Sequence, residues 1–571
     1  MSTLPSSKPW LASYAPGVRP EVEVPKEDIG LALERSIAAF GDRTALDFMG
    51  SSLTYAELGD RVTRAAGMLS AQGVKHGDRV AIAMPNAITH VVAFYAVLRL
   101  GAIVVEHNPL YTQSELVHQL NDSGATLAVF WDKTAATLGS AIKDTSVTTL
   151  ISVDVSRDLP LTKKLLLRLP VAKARETKAA LCDTPPPYAL AWHVLTAQAQ
   201  DLGPSHPRPA ATDLAVLQYT GGTTGTPKGA MLTHQNLGVN AAQGAEWTGA
   251  KQAMGTEVVY GVLPFFHAFG LTLCLTYALQ IAATVVLLPK FDVASFLAAQ
   301  KKRPGTFLPA VPPILARLAE AGPKAGADLT SFKYAISGAM PLPAKTASDW
   351  ERVTKGLVIE GYGMTETSPV ALGNPLSADR IPGRLGLPFP STDAMVVDQN
   401  DGRTRLAQGE RGELLVSGPQ VFQGYWGKPE ESAHVLVDID GVTWIRTGDV
   451  AVMDERGSFT LVDRIKEMII TGGFKVFPSQ VEATLRKMPG IADCAVVGLP
   501  ASGDLGERVV AALVLSEGAQ APTLEQVQAW CDADLARYAL PREIVVLDSL
   551  PVSQIGKVMR RVVRDQILAG A

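Results

Sequence analysis

Apolar runs rich in β-branched residues alternate with helical patterns through most of this chain. The run 79–84 precedes an apolar segment of helical length at 88–100, and the run 126–130 precedes a second helical pattern over 133–143. Strands that alternate with helices are typical of layered α/β folds, in which crossover helices make most strand pairs parallel. The pattern predicts an α/β protein with largely parallel sheets.

The pattern changes towards the C-terminus, where the elements become short. Segments 493–499 and 509–515 favour strands and 523–535 favours a helix, which together predict a small α+β unit. At 571 residues, the chain is also too long for one compact core. We therefore predict an N-terminal domain over 1–462, built from layered α/β subdomains, and a small C-terminal domain over 463–571.

The segment Ala268–Pro289 carries no charge and is long enough to be tested as a membrane span. It contains Thr272, Thr276 and Gln280, however, and it ends in the β-branched run 283–288. A buried helix followed by a buried parallel strand accounts for both halves, so we predict a core segment rather than a span.

A second unusual segment, 159–180, mixes basic residues and leucines around a single acid, Glu176. Its basic residues are Lys163, Lys164, Arg168, Lys173, Arg175 and Lys178, and its apolar ones include Leu161, Leu165, Leu166, Leu167, Leu169 and Val171. This composition fits an interfacial helix on an anionic membrane, but a solvated surface excursion explains it equally well. Pro160 and Pro170 predict that any helix here is short or broken.

Composition excludes several classes of protein. Hydrophobic residues make up 47% and charged residues 19% of the chain, which describes an ordinary globular protein, and a net charge of −4 gives no reason to expect nucleic acid as a partner. The four cysteines are scattered, so neither a disulfide framework nor a zinc site is indicated. The first residues lack the apolar region of a signal peptide. We expect a cytoplasmic protein. Peripheral contact with the inner membrane surface and assembly as a homodimer are both left open.

The densest chemical signal is the glycine- and threonine-rich segment Tyr219–Gly229, which follows the apolar run 214–217. Glycines allow close approach of the backbone to a polyanion, while amide and hydroxyl groups donate to phosphate oxygens. The candidate phosphate-binding residues are Thr220, Gly221, Gly222, Thr223, Thr224, Gly225 and Lys228. The spacing is not that of a Walker A loop, because Pro227 precedes the lysine and Gly229 follows it.

This segment resembles the phosphate-binding loop of the adenylate-forming enzymes, the superfamily of acyl-CoA synthetases, adenylation domains and firefly luciferase. Five further segments resemble that family in the same order. They are 337–341 (SGAMP), 360–367 (EGYGMTET), 444–449 (WIRTGD), 463–469 (DRIKEMI) and 550–561, which contains Gly556-Lys557 and Arg560-Arg561. The resemblance implies a large N-terminal region and a mobile C-terminal lid with a hinge near 463–466. One departure is Gln480, where many members carry glutamate.

The resemblance also implies roles for individual residues. Lys557 would reach from the lid to the substrate carboxylate and the α-phosphate of ATP, His267 would lie beside the carboxylate, and Thr365 would donate to the α-phosphate. Glu366 would be the magnesium ligand. Adenine, ribose and phosphate would be bound by Gly338, Ala339, Gly361, Tyr362, Gly363, Asp449 and Arg464. After lid rotation, Gly472 and Gly473 would let the pantetheine arm of CoA pass close to the backbone.

The predicted function is ATP-dependent activation of a medium- to long-chain fatty acid to acyl-AMP, followed by transfer to CoA with release of AMP and pyrophosphate. The partners are therefore the fatty acid, ATP and CoA, with Mg²⁺ on the phosphates. The alternatives are a ligase for aryl or short acids, an enzyme that loads a carrier protein, and an inactive fatty-acid binding or uptake protein.

Overall fold

Two largely parallel sheets form the body of the N-terminal region. The computed structural model describes residues 8–220, 227–249, 253–471, 474–501, 506–532, 534–553 and 556–570. The first sheet runs in the order Leu387–Pro388, Val370–Gly373, Leu357–Gly363, Tyr334–Ser337, Phe307–Ala310, Val258–Gly261, Thr284–Leu287, Thr44–Phe48 and Ser51–Thr54. The second runs in the order Leu190–Ala191, Thr149–Val153, Leu127–Trp131, Arg79–Ala83, Ile103–Glu106, Leu214–Thr220 and Lys228–Thr233. Antiparallel pairs occur only towards their edges among the described strands, which confirms the predicted α/β class.

The other sheets are antiparallel or mixed. The third sheet contains Asp393–Val397, Arg411–Ser417, Leu436–Ile439, Val442–Met453 and Phe459–Arg464. The short strands Ile469–Thr471 and Phe474–Val476 pair with each other, and a last sheet contains Ile491–Pro500, Glu507–Leu515 and Glu543–Val546. Both strands predicted at 493–499 and 509–515 are therefore present.

Helices connect the strands. In the N-terminal region they are Ile29–Phe40, Tyr55–Ala71, Ile88–Arg99, Gln113–Ser123, Asp132–Leu138, Leu161–Leu166, Ala172–Leu181, Trp192–Gln198, His234–Thr248, Ala268–Gly270, Tyr277–Gln280, Val293–Lys302, Pro312–Lys324, Ala344–Thr354 and Pro429–Val435. In the C-terminal region they are Pro478–Leu485, Leu524–Cys531 and Arg560–Ala569. Several begin at a capping box; at the start of His234–Thr248, Thr233 accepts from the backbone N–H of Asn236, whose side chain accepts from that of Thr233.

Two predicted helices differ in extent. The helix predicted at 133–143 is Asp132–Leu138 followed by the 3₁₀ turn Gly139–Asp144, because Gly139 adopts a positive φ of 48° that ends the α-helix. The helix predicted at 523–535 ends at Cys531.

The small C-terminal sheet is covered on both faces by residues that lie late in the chain. Val481, Leu485 and Val527 from two helices pack on one face, and Val563 and Ile567 from the last helix pack on the other. Successive side chains of the strand Ile491–Pro500 point to opposite faces of the sheet, so this strand contributes buried residues to both faces. The large N-terminal core, by contrast, draws on residues from Trp10 to Phe459.

Both unusual segments adopt the local structure that the sequence predicts. Residues 268–288 form a buried helical stretch, partly a π-helix over Leu271–Thr276, followed by the parallel strand Thr284–Leu287. Among the described residues, no helix is both long and apolar enough to cross a membrane. Segment 159–180 is broken at Pro170 into the helices Leu161–Leu166 and Ala172–Leu181, as the prolines predict.

Candidate active site

The two ends of the glycine-rich segment lie opposite each other. Thr220 ends the strand Leu214–Thr220 and pairs with Lys228, the first residue of the antiparallel strand Lys228–Thr233. The segment therefore connects two hydrogen-bonded strands at the carboxyl end of the second sheet. Gly221, Gly222, Thr223, Thr224 and Gly225 lie outside the described residues.

Lys228 points its ammonium group towards other charged and aromatic side chains. It forms an ion pair with Glu431 and lies 5.1 Å from the ring centroid of Tyr425. Burial, and then the positive charge of Lys466, lower its pKa below the usual lysine value. A partly desolvated cation beside a second cation is suited to receive phosphate oxygens.

Glu366 lies in the 3₁₀ turn Thr365–Thr367 and is buried. The hydroxyl of Tyr425 donates to its Oε1 at 2.6 Å, and its backbone carbonyl accepts from the N–H of Phe422 at 2.9 Å. Burial raises the pKa of the Glu366 carboxyl, while Tyr425 and the charge of Lys228 act in the opposite direction.

The donor set at this position fits a magnesium ion held mainly by nucleotide phosphates. Mg²⁺ usually keeps several waters and takes only one or two protein carboxylates. Glu366 can supply one hard oxygen ligand, and it lies within electrostatic reach of the Lys228 ammonium. Among the described residues, no group of three or more His, Cys, Asp or Glu side chains is placed to hold a metal without such help.

Tyr362, Asp449 and Arg464 form one contact group between the first and third sheets. The hydroxyl of Tyr362 donates to Asp449 Oδ2 at 2.5 Å, and Arg464 Nε lies 3.2 Å from Asp449 Oδ1. Asp449 and Arg464 are also directly opposite each other in an antiparallel strand pair. Burial, and then the charge of Asp449, raise the pKa of Tyr362 far above its usual value.

Small residues line the edge of the first sheet beside this group. A Cβ at Gly363 would lie 1.8 Å from the carbonyl oxygen of Pro369, so only glycine fits there. A Cβ at Gly338 would lie 3.1 Å from ring carbons of Phe269, and one at Gly361 would lie 2.8 Å from Ile336. The neighbouring Ala339 has a positive φ of 67°.

His267 and Lys557 come together although 290 positions separate them in the sequence (557 − 267). His267 is neutral, because burial and then the nearby charge of Lys557 lower its pKa to about 4. Its Nδ1 accepts from the backbone N–H of Phe269 at 3.3 Å. Burial, and then the charge of Arg464, lower the pKa of Lys557 to about 8.

A tight turn presents Lys557. The N–H of Ser553 donates to the carbonyl of Lys557 at 2.8 Å, and Val552 bridges to Val558. Gly556 has a positive φ of 78° and faces Pro313 and Met340 of the N-terminal region. The lysine therefore enters the group of predicted site residues from the C-terminal region.

The structure thus brings together Lys228, Tyr362, Glu366, Asp449, Arg464, His267 and Lys557. Gly472 and Gly473, predicted to meet CoA, lie outside the described residues.

Sequence reasoning missed two residues of this site, Tyr425 and Glu431. Tyr425 lies 59 residues from its partner Glu366, and no spacing in the chain connects them. Glu431 lies in the short helix Pro429–Val435 that follows the loop carrying Tyr425. In the sequence, Tyr425 and its neighbour Trp426 look like ordinary core aromatics, and Glu431 looks like an ordinary charged residue of a surface helix.

Comparison with known families gives two matches in this chain. Residues 33–426 match the AMP-binding enzyme family, and residues 480–557 match the AMP-binding enzyme C-terminal domain. The chain therefore belongs to the AMP-binding enzyme family.

Known proteins similar to this chain agree with that assignment. A long-chain-fatty-acid–CoA ligase of Bacillus subtilis is 37% identical over 562 residues, covering 97% of both chains. A feruloyl-CoA synthase of an Amycolatopsis species is 34% identical and covers 91% of this chain and 95% of its own length. The crystal structure of ATP-bound MatB from Rhodopseudomonas palustris superposes with a TM-score of 0.77 at 30% identity, covering 94% of this chain and 99% of that one.

The protein is an AMP-forming acid–thiol ligase: it joins a carboxylic acid to CoA through an acyl-adenylate, and it uses ATP and Mg²⁺. The resemblance drawn from the six sequence segments is confirmed.

Proposed function

We propose that this ligase activates medium- to long-chain fatty acids, with Lys557 as the group that stabilises adenylation. The observation that carries the role of Lys557 is that it lies within electrostatic reach of His267 and also of Asp449 and Arg464. A lysine at that position can contact both an acid bound at His267 and a nucleotide bound at Asp449.

The first half-reaction needs charge compensation more than covalent help. A carboxylate oxygen attacks the α-phosphorus of ATP, and the bond from that phosphorus to the pyrophosphate oxygen breaks. Two anions must approach in line, so a desolvated ammonium aimed between them stabilises the transition state. Mg²⁺, when bound, offsets charge on the phosphates; Glu366 is the residue proposed to hold it.

The remaining site residues bind and orient the nucleotide in this proposal. Tyr362, Gly338 and Ala339 flank adenine, with Gly361 and Gly363 leaving room for it. Asp449 accepts from the ribose hydroxyls, and Arg464 adds a contact to ribose or phosphate. Lys228, Thr365 and the glycine-rich segment contact the phosphates.

The second half-reaction requires a different arrangement of the same chain. The CoA thiolate attacks the acyl carbon, and AMP leaves. We propose that the C-terminal domain, 463–571, rotates on 1–462 about residues 463–466, which withdraws Lys557 and brings Gly472 and Gly473 to the pantetheine arm. The separate C-terminal core supports movement of this domain as one body.

Two substrate classes are supported by different observations. The name of the Bacillus subtilis relative supports a long alkyl chain. The name of the feruloyl-CoA synthase relative supports an aryl acid as the second candidate.

Acid-dependent exchange of labelled pyrophosphate into ATP, measured without CoA, tests both the mechanism and the substrate. The panel runs from acetate to oleate and includes benzoate, coumarate and ferulate. A maximum at long chains supports the proposal, and a maximum at aryl or short acids replaces the substrate class. Exchange followed by transfer to a carrier protein but not to CoA would indicate the loading enzyme, and no exchange with any acid would overturn the proposed function.

We further propose that the enzyme is cytoplasmic and contacts anionic membrane surfaces through the segment 159–180. Five of its apolar side chains are exposed, namely Leu161, Leu165, Leu166, Leu169 and Val171. They lie among six basic residues and one acid, which matches a surface that is apolar inside and negatively charged outside. Long-chain acids partition into such surfaces, so contact would bring the enzyme to its substrate.

A further inference from the structure

Arg560, three residues after Lys557, makes a set of strong polar contacts that the proposed roles do not use. Its Nε and Nη2 donate to Oε1 and Oε2 of Glu482, each at 2.7 Å. Nη2 also donates to Ser479 Oγ at 3.1 Å, and Nη1 forms an ion pair with Glu467. All four of these residues lie in the C-terminal region.

The two carboxylates belong to different elements. Glu482 is on the helix Pro478–Leu485 and also accepts from the N–H of Val496 at 2.9 Å, which fixes it to the C-terminal sheet. Glu467 is the last residue of the 3₁₀ turn Ile465–Glu467, which we call the linker turn. This turn directly follows Arg464, the partner of Asp449 in the nucleotide site.

Arg560 therefore links the segment that carries Lys557 to the linker turn. One arm runs through space from Asp449 to Arg464, along the linker turn to Glu467, and on to Arg560. The other arm runs along the chain from Arg560 back to Lys557. The position of the lysine relative to the nucleotide site is set by both arms together.

The chemistry of the guanidinium suits this task. A bidentate arginine–carboxylate pair is directional and among the strongest protein hydrogen-bond arrangements, and Arg560 has a free edge for a second carboxylate. Both carboxylates are largely buried, with side chains 3% and 11% exposed, so the geometry is held in a place where water competes little. A lysine would keep the charge but lose the planar fork.

We propose that Arg560 is a positioning residue for adenylation, fixing the segment that carries Lys557 to the linker turn and thereby placing the Lys557 ammonium over the reacting atoms. This inference rests on the proposed role of Lys557. Because Lys557 acts in the first half-reaction alone, loss of the Arg560 contacts should impair that half-reaction selectively.

The test measures the two half-reactions separately in Arg560→Gln, Arg560→Lys and wild type. With Arg560→Gln we expect kcat for pyrophosphate exchange to fall about 10²-fold, the cost of a misplacement of about 1 Å at a reacting centre. KM for ATP and for the acid should change less than about threefold, because Arg560 touches neither. CoA transfer from supplied acyl-adenylate should also stay within about threefold. Arg560→Lys should restore only part of the exchange rate.

Arg561→Gln is the matched control, since Arg561 is adjacent, 61% exposed and only 3.9 Å from Asp565 in a weak ion pair. It should behave as wild type in both half-reactions. Should Arg560→Gln fail to fold, Glu467→Ala removes the linker arm alone and leaves the bonds to Glu482; it should lower exchange about tenfold and spare CoA transfer.

Equal losses in both half-reactions would overturn the inference, because they would indicate a merely structural residue. If the Arg560 and Glu467 variants exchange pyrophosphate at the wild-type rate, the inference is also overturned, but the proposed function stays intact. Absence of exchange in the wild type with every acid would instead overturn the proposed function, and this inference with it.

Discussion

The hydroxyl of Tyr425 donates a hydrogen bond of 2.6 Å to Oε1 of Glu366. The ring of the same tyrosine lies under the ammonium of Lys228. One aromatic side chain therefore orients the carboxylate proposed for Mg²⁺ and supports the lysine proposed for the phosphates. Because the Glu366 carboxyl is buried, this bond also helps to keep it ionised.

Tyr425→Phe should lower the apparent affinity for Mg²⁺ without unfolding the enzyme. Removing the hydroxyl raises the pKa of Glu366 further and frees its orientation, and loss of such supporting bonds typically costs about 10- to 100-fold in metal affinity or activity. The measurement is pyrophosphate exchange as a function of Mg²⁺ concentration. Tyr188→Phe, which removes a hydroxyl remote from the site, is the control. Identical Mg²⁺ titrations for the two variants would contradict the assignment.

Lys557→Ala should lower adenylation by about 10²-fold or more, the scale for losing one aimed electrostatic group. CoA transfer from supplied acyl-adenylate should fall much less, since Lys557 is proposed to leave the site in that step. Separate assays of pyrophosphate exchange and of thioester formation check this. A comparable loss in both would refute the role of Lys557.

The pH dependence of adenylation should show the titration of Lys557. Its pKa is lowered to about 8, so the ammonium is present below that pH and is lost as pH rises through it. Adenylation kcat/KM should therefore fall tenfold per pH unit above about 8, because this ratio reports the free enzyme. Lys557→Arg should remove that limb, since a guanidinium stays charged. If kcat/KM of Lys557→Arg falls above the same pH, the decrease belongs to the titration of another group.

Gly363→Ala should be strongly destabilising. Its new Cβ would overlap the carbonyl oxygen of Pro369, and backbone atoms cannot give way as a flexible side chain can. Overpacking of this kind costs about 1–3 kcal/mol or more. Urea unfolding measures the change in the free energy of unfolding, with Gly203→Ala, whose Cβ would meet nothing closer than 4.0 Å, as the control. Equal stability of the two variants would contradict the geometry at Gly363.

Neutralising the six basic residues of 159–180 should weaken binding to anionic vesicles by at least about 10²-fold, since each basic residue near such a surface contributes about 1 kcal/mol. Co-sedimentation with vesicles of anionic and of zwitterionic lipid measures this. A matched control neutralises six exposed basic residues elsewhere: Lys324, Lys345, Arg352, Lys355, Lys487 and Arg561. Unchanged binding after neutralisation of 159–180 would exclude this segment as the contact.

Much of the fold could be predicted from the sequence because its signals are local. The alternation of apolar runs and helical periods predicted the parallel sheets, and Pro170 predicted the break between Leu161–Leu166 and Ala172–Leu181. The ends of helices were predicted less accurately, as at Gly139. A positive φ at one glycine is a backbone property that composition does not reveal.

The candidate site could be predicted where its residues lie in recognisable segments. Glu366, Asp449, Arg464 and Lys557 were named from such segments, and the structure brings them within electrostatic reach of each other. Tyr425 and Glu431 lie in no such segment, and their contribution depends on which loops meet beside Lys228.

The sequence by itself determined the class of fold, the family and the order of the candidate chemical groups, because hydrophobic period and motif spacing are carried by neighbouring residues. Only the tertiary structure decided which distant side chains share a hydrogen bond. The Tyr425–Glu366 bond spans 59 positions, and the contacts of Arg560 with Glu482 and Glu467 span 78 and 93. Many pairs of polar residues at such separations could form a bond, and it is the packing of the sheets and of the C-terminal helices that selects among them.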